Sequence, residues 1–379
     1  MRIGIEAQRI FRKEKHGMDM MAVELIKNLQ KLDEVNEYFI FVNPDDDGTV
    51  VQPNDNFTIV PLRKSPYPLW EQVLLPNAVK KYQLDILHCT SNTAPLNLQI
   101  PLILTLHDII YLEKRNWKSG TWYQRFGNLY RRWNVPLIVR KAARILTVSR
   151  FEERRIRKHF GLDREKIEVV YNGIGKHFRT LDQETAEIKG NNLHLPDQYI
   201  LFLGNTDPKK NLYGLIKSLT FLHEKGELPV TCVITDISEE VLLPILTEMG
   251  AEDIREKIFL TGYVRNAEMP ILYNNALFFL YISLRESFGL PILEAMACGC
   301  PVITSNTSSM PEIAGEAALL VDPTDIEAIG EAIKTLINDK TLRARLREKG
   351  LERPLLFSYR TRVKRIINIY KEVYQQAHE

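Results

Sequence analysis

The sequence predicts two doubly wound α/β domains. Three observations carry this expectation: strand and helix signals alternate through the first half, a polar stretch follows Asn172–Gly173, and the alternation then restarts. A chain of 379 residues has room for both domains, since one takes roughly 100–200 residues. In the first half, Arg2–Glu6 and Tyr38–Val42 read as strands around Met20–Leu32, whose apolar residues recur at helical spacing. Ile86–His88, Leu102–Leu106, Ile145–Val148 and Ile167–Val170 are further short buried-strand patterns. The polar, irregular run His177–Asp197 reads as a linker.

Beyond it, Tyr199–Leu203, Val230–Thr235, Ile258–Thr261, Phe278–Ser283 and Ala317–Val321 are strand candidates. Leu212–Lys225, Glu268–Asn275 and Ile326–Asn338 are helix candidates between them. A single barrel is the structural alternative, but the linker and the second start interrupt its series. Pro354 breaks a helix near Arg353, and Tyr359–Tyr374 begins a new helical pattern. The expected division is 1–180, 181–353 and a terminal helix in 354–379.

Composition excludes several classes. With 45% hydrophobic and 26% charged residues of both signs, general disorder is not expected. A net charge of +2 gives no reason to expect a nucleic-acid binder. Cys89, Cys232, Cys298 and Cys300 lack metal-ligand spacing and suggest no disulfide framework, so a reduced, intracellular compartment is expected. Met1–Ile5 leads straight into a strand, with neither a secretory pattern nor a spanning helix.

Charge is unevenly spread. Tyr111–Phe160 holds fourteen Lys and Arg against three Glu, a local net of +11. Trp117, Trp122, Tyr123, Tyr130 and Trp133 stand beside Lys118, Arg125, Arg131 and Arg132. Such a segment suits anionic headgroups or an acidic acceptor. A helix with aromatics turned inward and arginines in water is the alternative reading. No helix-turn-helix, zinc module or RNA-binding strand accompanies it, so no nucleic-acid partner is expected.

Residues 278–304 are the most informative stretch. Glu286 and Glu294 stand eight residues apart around a glycine turn, between two apolar runs. Pro291 marks a helix start and Gly299 its stop. Loop amides and a positive helix end at such a place can receive an anion. Two carboxylates invite an acid/base reading; a solvated surface turn is the plain alternative.

The run E-S-F-G-L-P-x-L-E-A-M-A-x-G-x-P-V at Glu286–Val302 resembles the retaining nucleotide-sugar glycosyltransferases numbered family 4. Leu106–Asp108, Ser149–Phe151, Asn172–Gly173 and Gly204–Asn211 resemble further motifs of that family in the right order. Ala7–Gly17 and Trp70–Pro76 are similar to branches that include mannosyl- and rhamnosyltransferases of surface polysaccharide synthesis. The resemblance implies the GT-B fold, two Rossmann-like domains facing a cleft, with the terminal helix returning to the first.

It also implies roles. Glu294 would accept hydrogen bonds from the donor ribose, and Glu286 would address hydroxyls of the transferred sugar. Phe288, Gly289 and Leu290 would offer backbone to that sugar. Gly204 belongs to the implied phosphate loop, where Lys209 and Lys210 stand at the family's basic pair, with Lys210 the stronger phosphate ligand. Two lysines depart from the family's usual arginine and lose its bidentate fork. Their charge would stabilise the leaving diphosphate. Asp207 would organise the lysines or cap the next helix, unless Asp207–Pro208 is simply a solvated turn.

His107 would stand near the transferred sugar, with Asp108 able to orient its ring. Gly17 is implied as a close approach to the diphosphate or acceptor, although Met18 replaces the second small residue of many relatives. The resemblance favours front-face transfer without a covalent intermediate, and no divalent metal; the acidic run Asp45–Asp47 reads as a solvated loop. The expected enzyme moves a hexose, mannose from GDP-mannose, onto a saccharide or lipid-linked saccharide. It would be cytoplasmic, and peripheral on the inner membrane face through residues 111–160. Glucosyl transfer from UDP- or ADP-glucose, as in glycogen or sucrose chemistry, and a silent sugar-nucleotide or polysaccharide binder are the alternatives.

Overall fold

The computed structural model describes residues 1–13, 17–45, 47–112 and 122–379, the side chains of 122–126 excepted. Asp46, Trp117 and Lys118, and the side chains of Trp122, Tyr123 and Arg125, therefore lie outside the described residues. The chain forms two compact units, Met1–Gly173 with Tyr359–Glu379, and Ile174–Ser358.

The first unit is built on β1 (Arg2–Glu6), β2 (Glu37–Val42), β3 (Phe57–Pro61), β4 (Ile86–Cys89), β5 (Leu102–Thr105), β6 (Arg144–Thr147) and β7 (Ile167–Val169). They pair in parallel in the order β3-β2-β1-β4-β5-β6-β7. A parallel sheet covered on both faces needs apolar side chains in both directions, and β4 and β5 are buried at every position. On one face the helices Gly17–Leu32 and Tyr359–Gln376 set Val23, Ile26, Leu29, Ile366 and Ile369 against Ile3 and Ile5. On the other, Trp70, Val79, Val135 and Ile138 pack against Leu87 and Leu104.

The terminal helix is tied in by polar contacts as well. The Tyr370 hydroxyl meets His88 Nδ1 at 2.7 Å, and Arg365 Nη2 donates to Glu168 Oε2 at 2.8 Å. His88 Nε2 reaches Thr105 Oγ1 at 2.8 Å, so this buried imidazole has a partner at both nitrogens.

The second unit repeats the plan with β8 (Tyr199–Leu203), β9 (Thr231–Thr235), β10 (Ile258–Gly262), β11 (Phe278–Tyr281), β12 (Val302–Ser305) and β13 (Ala318–Val321). Their order is β10-β9-β8-β11-β12-β13, again all parallel. The helices Leu212–Glu224, Glu239–Met249 and Ile326–Asn338 bury Leu215, Leu219, Leu242, Ile329 and Ile333 against Ile200, Cys232 and Leu280. All four cysteines are buried free thiols.

Two expectations change. The supposed linker His177–Asp197 contains the helix Gln183–Asn192, capped by Asp182, whose Oδ1 accepts from Thr185 N at 2.8 Å. Its sequence lacks an apolar stripe because it docks through small residues: Gly190 lies against Asn275, and Asn275 Nδ2 donates to Ala186 O at 2.9 Å. β3 and the helix Glu239–Met249 had no strong sequence signal. The first is a half-exposed edge strand closed by Pro61, and the second holds Pro244 in its interior.

Candidate functional site

Strand order in the second sheet reverses between β8 and β11, which are hydrogen-bonded neighbours whose chain connections lead away in opposite directions. The loops leaving their carboxyl ends are Gly204–Asn211 and Ile282–Gly289. A crevice of this kind is where open α/β sheets bind ligands. Both sequence-predicted clusters therefore meet at one place in the second unit.

The first loop is shaped by exclusion and by capping. A Cβ on Gly204 would stand 2.2 Å from Thr235 O, so glycine is required there by the end of β9. Asp207 Oδ1 accepts from Lys209 N at 3.1 Å and caps the short turn Pro208–Lys210, which carries both lysines. Asn211 follows at φ +64°, buried, and its Nδ2 donates to Ile282 O at 3.1 Å and Pro323 O at 2.7 Å. One amide thus ties three loops, those after β8, β11 and β13. Leu284 N donates to Lys209 O at 2.7 Å and closes the same seam.

From this turn Lys210 reaches across. Its Nζ donates to Glu286 Oε1 at 2.7 Å and to the Tyr281 hydroxyl at 3.2 Å, and lies 5.1 Å from the centre of the Tyr281 ring. The Glu286 backbone is gripped from the turn after β12: Ser308 Oγ accepts from Glu286 N at 3.1 Å and donates to Glu286 O at 2.6 Å. Ser309 Oγ, fully buried, lies 3.0 Å from Glu286 O and 2.9 Å from Phe288 O. Arg285 Nη1 adds a donor to Glu286 O at 2.8 Å. Sequence reasoning missed Tyr281, Ser308 and Ser309; the serine-rich turn Ser305–Ser309 was the signal available.

Phe288 turns its ring inward against Phe357 at 5.9 Å, so its backbone is what it contributes to this loop. Gly289 follows at φ +97°, a region that side chains rarely enter, and it opens the helix Leu290–Ala297 with Pro291 in its first turn. Glu294 lies on that helix and is buried. Burial pushes its carboxyl up to about 7, opposed by the Tyr273 hydroxyl. The Tyr281 hydroxyl is pushed well up by burial first, then by Glu286, with Glu294 also contributing. A single phenol therefore senses both carboxylates.

His107 and Gly17 belong to the first unit. His107 follows β5, its N donating to Asn92 Oδ1 at 2.7 Å and its Nε2 meeting Thr90 O at 3.0 Å. A carbonyl can only accept, so Nε2 carries the proton. Burial pushes the imidazole down to about 4, which makes it neutral near pH 7. Asp108 Oδ1 accepts from Ile110 N at 3.0 Å, so the ring is oriented by Thr90 and Asp108 supports the following turn. Gly17 begins its helix exposed, with no atom near the position of a Cβ. Met18 Sδ accepts from Asn92 Nδ2 at 3.9 Å, joining this helix start to the loop that positions His107.

Outside the unit cores, Asp45 Oδ1 pairs with Lys64 at 2.7 Å. Among the described residues, no group of three His, Cys, Asp or Glu is arranged to hold a metal. Nor is any described helix long and apolar enough to cross a membrane.

Residues 183–353 match the family described as Glycosyl transferases group 1, and residues 16–176 match Glycosyltransferase Family 4. O-antigen chain mannosyltransferase B of Escherichia coli is 36% identical over 175 residues, 46% of this chain and 45% of that protein. O-antigen chain mannosyltransferase RfbU of Salmonella typhimurium is 29% identical over 242 residues, 62% of each chain. Sucrose-phosphate synthase of Spinacia oleracea is 31% identical over 176 residues, 42% of this chain and 17% of that protein. The chain thus spans about half the length of the first of these curated relatives. Among solved structures, a glycosyltransferase from Rickettsia africae superposes with a TM-score of 0.74 at 19% identity, covering 98% of both chains. Anabaena HepE in complex with UDP-glucose superposes with a TM-score of 0.71 at 18% identity, covering 98% of this chain and 100% of that one.

Proposed function

The chain is a GT-B-fold protein related to the family 4 and group 1 glycosyltransferases, and on that premise we propose that it transfers mannose from GDP-mannose to a saccharide or lipid-linked saccharide of surface polysaccharide synthesis. The observation that carries the reading is the Lys210–Glu286 pair at the switch point of the second sheet, on the loop that leads into the helix bearing the buried carboxylate of Glu294. The names of two relatives, both O-antigen chain mannosyltransferases, support the donor sugar and the acceptor class.

In this reading Lys210, assisted by Lys209, receives the donor diphosphate, and its charge counts most as the anomeric bond breaks and negative charge grows on the leaving group. Glu286 binds hydroxyls of the transferred sugar, and the backbone of Phe288, Gly289 and Leu290 lines the approach that Gly289 keeps open. Glu294 accepts from the ribose hydroxyls. His107, neutral and with its Nε2 proton on Thr90 O, offers Nδ1 as an acceptor toward sugar hydroxyls. The family resemblance supports front-face transfer with retention, with no carboxylate nucleophile and no divalent metal. Turnover after thorough chelation checks the last point: complete, metal-reversible loss would overturn it.

A screen of GDP-, UDP-, ADP- and TDP-sugars tests the donor. Turnover of GDP-mannose is the expected result. Turnover of UDP-glucose alone would favour the second reading, glucosyl transfer, which the similarity to sucrose-phosphate synthase supports. No binding or turnover of any nucleotide sugar, with Glu294→Gln unchanged in behaviour, would leave only a silent protein.

The proposed location is the cytoplasmic membrane face. Leu129, Trp133 and Leu137 are 57%, 52% and 45% exposed at four-residue spacing on the helix Trp122–Lys141, in a segment with Arg131, Arg132, Arg140 and Lys141. Binding to anionic but not neutral vesicles is the expected outcome; equal, negligible binding to both would sink it.

A further inference from the structure

Arg362 stands in the first turn of the terminal helix Tyr359–Gln376, on the face that buries Val363, Ile366 and Ile369. It is 7% exposed, and its Nε and Nη1 are buried without a hydrogen-bond partner. Among the described residues no carboxylate pairs with it. Arg9 and Arg144 of the same unit also bury an Nε without a hydrogen-bond partner, but each has a carboxylate near, Asp19 at 3.1 Å and Glu372 at 3.8 Å, and Arg365 is forked onto Glu168.

The direction of the helix says where this cation sits. Glu372, near its far end, lies 3.8 Å from Arg144 at the start of β6, whereas Tyr359 lies against Gly173, past the end of β7. Arg362 is therefore at the carboxyl edge of the first sheet, the edge from which ligand-binding loops leave. His107 follows β5 at the same edge. Burial and then the charge of Arg362 hold His88 down to about 3, and Arg362 also depresses His107 after the larger effect of burial.

A guanidinium held out of water without a counter-charge or acceptors costs the empty fold free energy. The helix could bury an apolar residue there at no such cost, as it does at Val363 and Ile366. A cation kept in that condition is matched to a negative charge that arrives from outside. Its planar fork suits phosphate oxygens in particular.

We propose that Arg362 is an anion-binding residue of the first unit and takes a phosphate group of a diphosphate ligand. The transfer reading is needed only to name the source, which is either the diphosphate of the sugar nucleotide or the diphosphate of a lipid-linked acceptor.

The test is titration calorimetry of the full chain with inorganic pyrophosphate, GDP and farnesyl diphosphate, for wild type, Arg362→Met and Arg362→Lys. Arg362→Met should bind at least one of the three about tenfold more weakly, the worth of a charge-assisted hydrogen bond. Arg362→Lys should recover part of that loss, and without anion Arg362→Met should melt at a higher temperature than wild type. Loss confined to GDP assigns the donor as source, and loss confined to farnesyl diphosphate assigns the acceptor. Binding of all three equal to wild type overturns the proposal, as does a wild type that binds none. An Arg362→Met chain that does not fold also overturns it, because it makes the arginine structural. If no nucleotide sugar is turned over while Arg362→Met still loses pyrophosphate, the transfer reading fails and the anion site stands.

Discussion

Lys210 Nζ donates to Glu286 Oε1 at 2.7 Å, joining two loops that lie 76 residues apart in the chain. Each group is mostly shielded, with 21% and 12% of the side chain exposed, so solvent and salt screen the contact less than they screen a surface ion pair. The same ammonium lies 5.1 Å from the centre of the Tyr281 ring. Lys210→Ala should lower kcat by about 10²–10³, the scale of losing one fixed stabiliser of developing negative charge. The loss should fall mainly on kcat, with a smaller rise in KM for the donor. A variant with kcat near wild type and only KM raised would mean that Lys210 binds the donor without assisting its departure.

Glu294 gives a pH signature. Its carboxyl is raised to about 7 by burial, so the ionised fraction grows as pH rises through that value. An ionised carboxylate offers two acceptor oxygens to ribose hydroxyls. Donor KM should therefore fall between pH 6 and pH 8, a range in which the sugar diphosphate itself does not titrate. Glu294→Gln should abolish the dependence and weaken donor binding about tenfold. A pH profile that survives in Glu294→Gln would place the titration elsewhere.

Asn211 is expected to matter for both stability and donor binding. Asn211→Ala leaves the buried carbonyls of Ile282 and Pro323 without their donor, at about 1–3 kcal/mol. It also puts a non-glycine at φ +64° without the asparagine's polar compensation, costing roughly 1 kcal/mol more. Asn211→Gly removes the hydrogen bonds and spares the backbone strain, so it should be the milder of the two in a denaturant melt. Equal midpoints for the two variants would show that the strain contributes nothing.

Glu71 should leave a pH-dependent mark on the stability of the first unit. It is fully buried in the π-helical turn Trp70–Leu74, accepting from Tyr67 and Thr93 at Oε1 and from Gln72 and Tyr130 at Oε2. Burial nevertheless outweighs these donors and raises its carboxyl to about 7. A folded-state value above the unfolded one means that the fold binds the proton more tightly. The resulting stabilisation is complete below about 4.5 and is lost as pH rises to about 7, on the order of 3 kcal/mol in all. Glu71→Gln should flatten that decline between pH 4.5 and 7 in urea melts, and an unchanged slope would refute the assignment.

Much of the architecture was legible locally. A strand buried on both faces is mostly apolar, so β8 and β11 announce themselves without any knowledge of their neighbours, and β1 and β4 do so despite the buried Glu6 and His88. The helix Gln183–Asn192 did not, because its contact is made by Gly190 and Ala186 and leaves no apolar stripe to read. At the site, a partner of the His107 ring is likewise remote in sequence: Nε2 meets Thr90 O, and Thr90 follows a different strand.

What the sequence by itself determined is the alternation that builds two parallel sheets, and the Glu286–Glu294 and Gly204–Asn211 motifs, because periodicity and turn chemistry are properties of neighbouring residues. Only the tertiary structure decided that Lys210 pairs with Glu286, that Ser308 and Ser309 grip the glutamate's backbone, and that Arg362 is buried without a counter-charge. Those facts depend on strand order. Placing β8 beside β11, and the terminal helix across β4 and β7, brings together groups that the chain separates by tens to hundreds of residues. No local pattern encodes such a meeting.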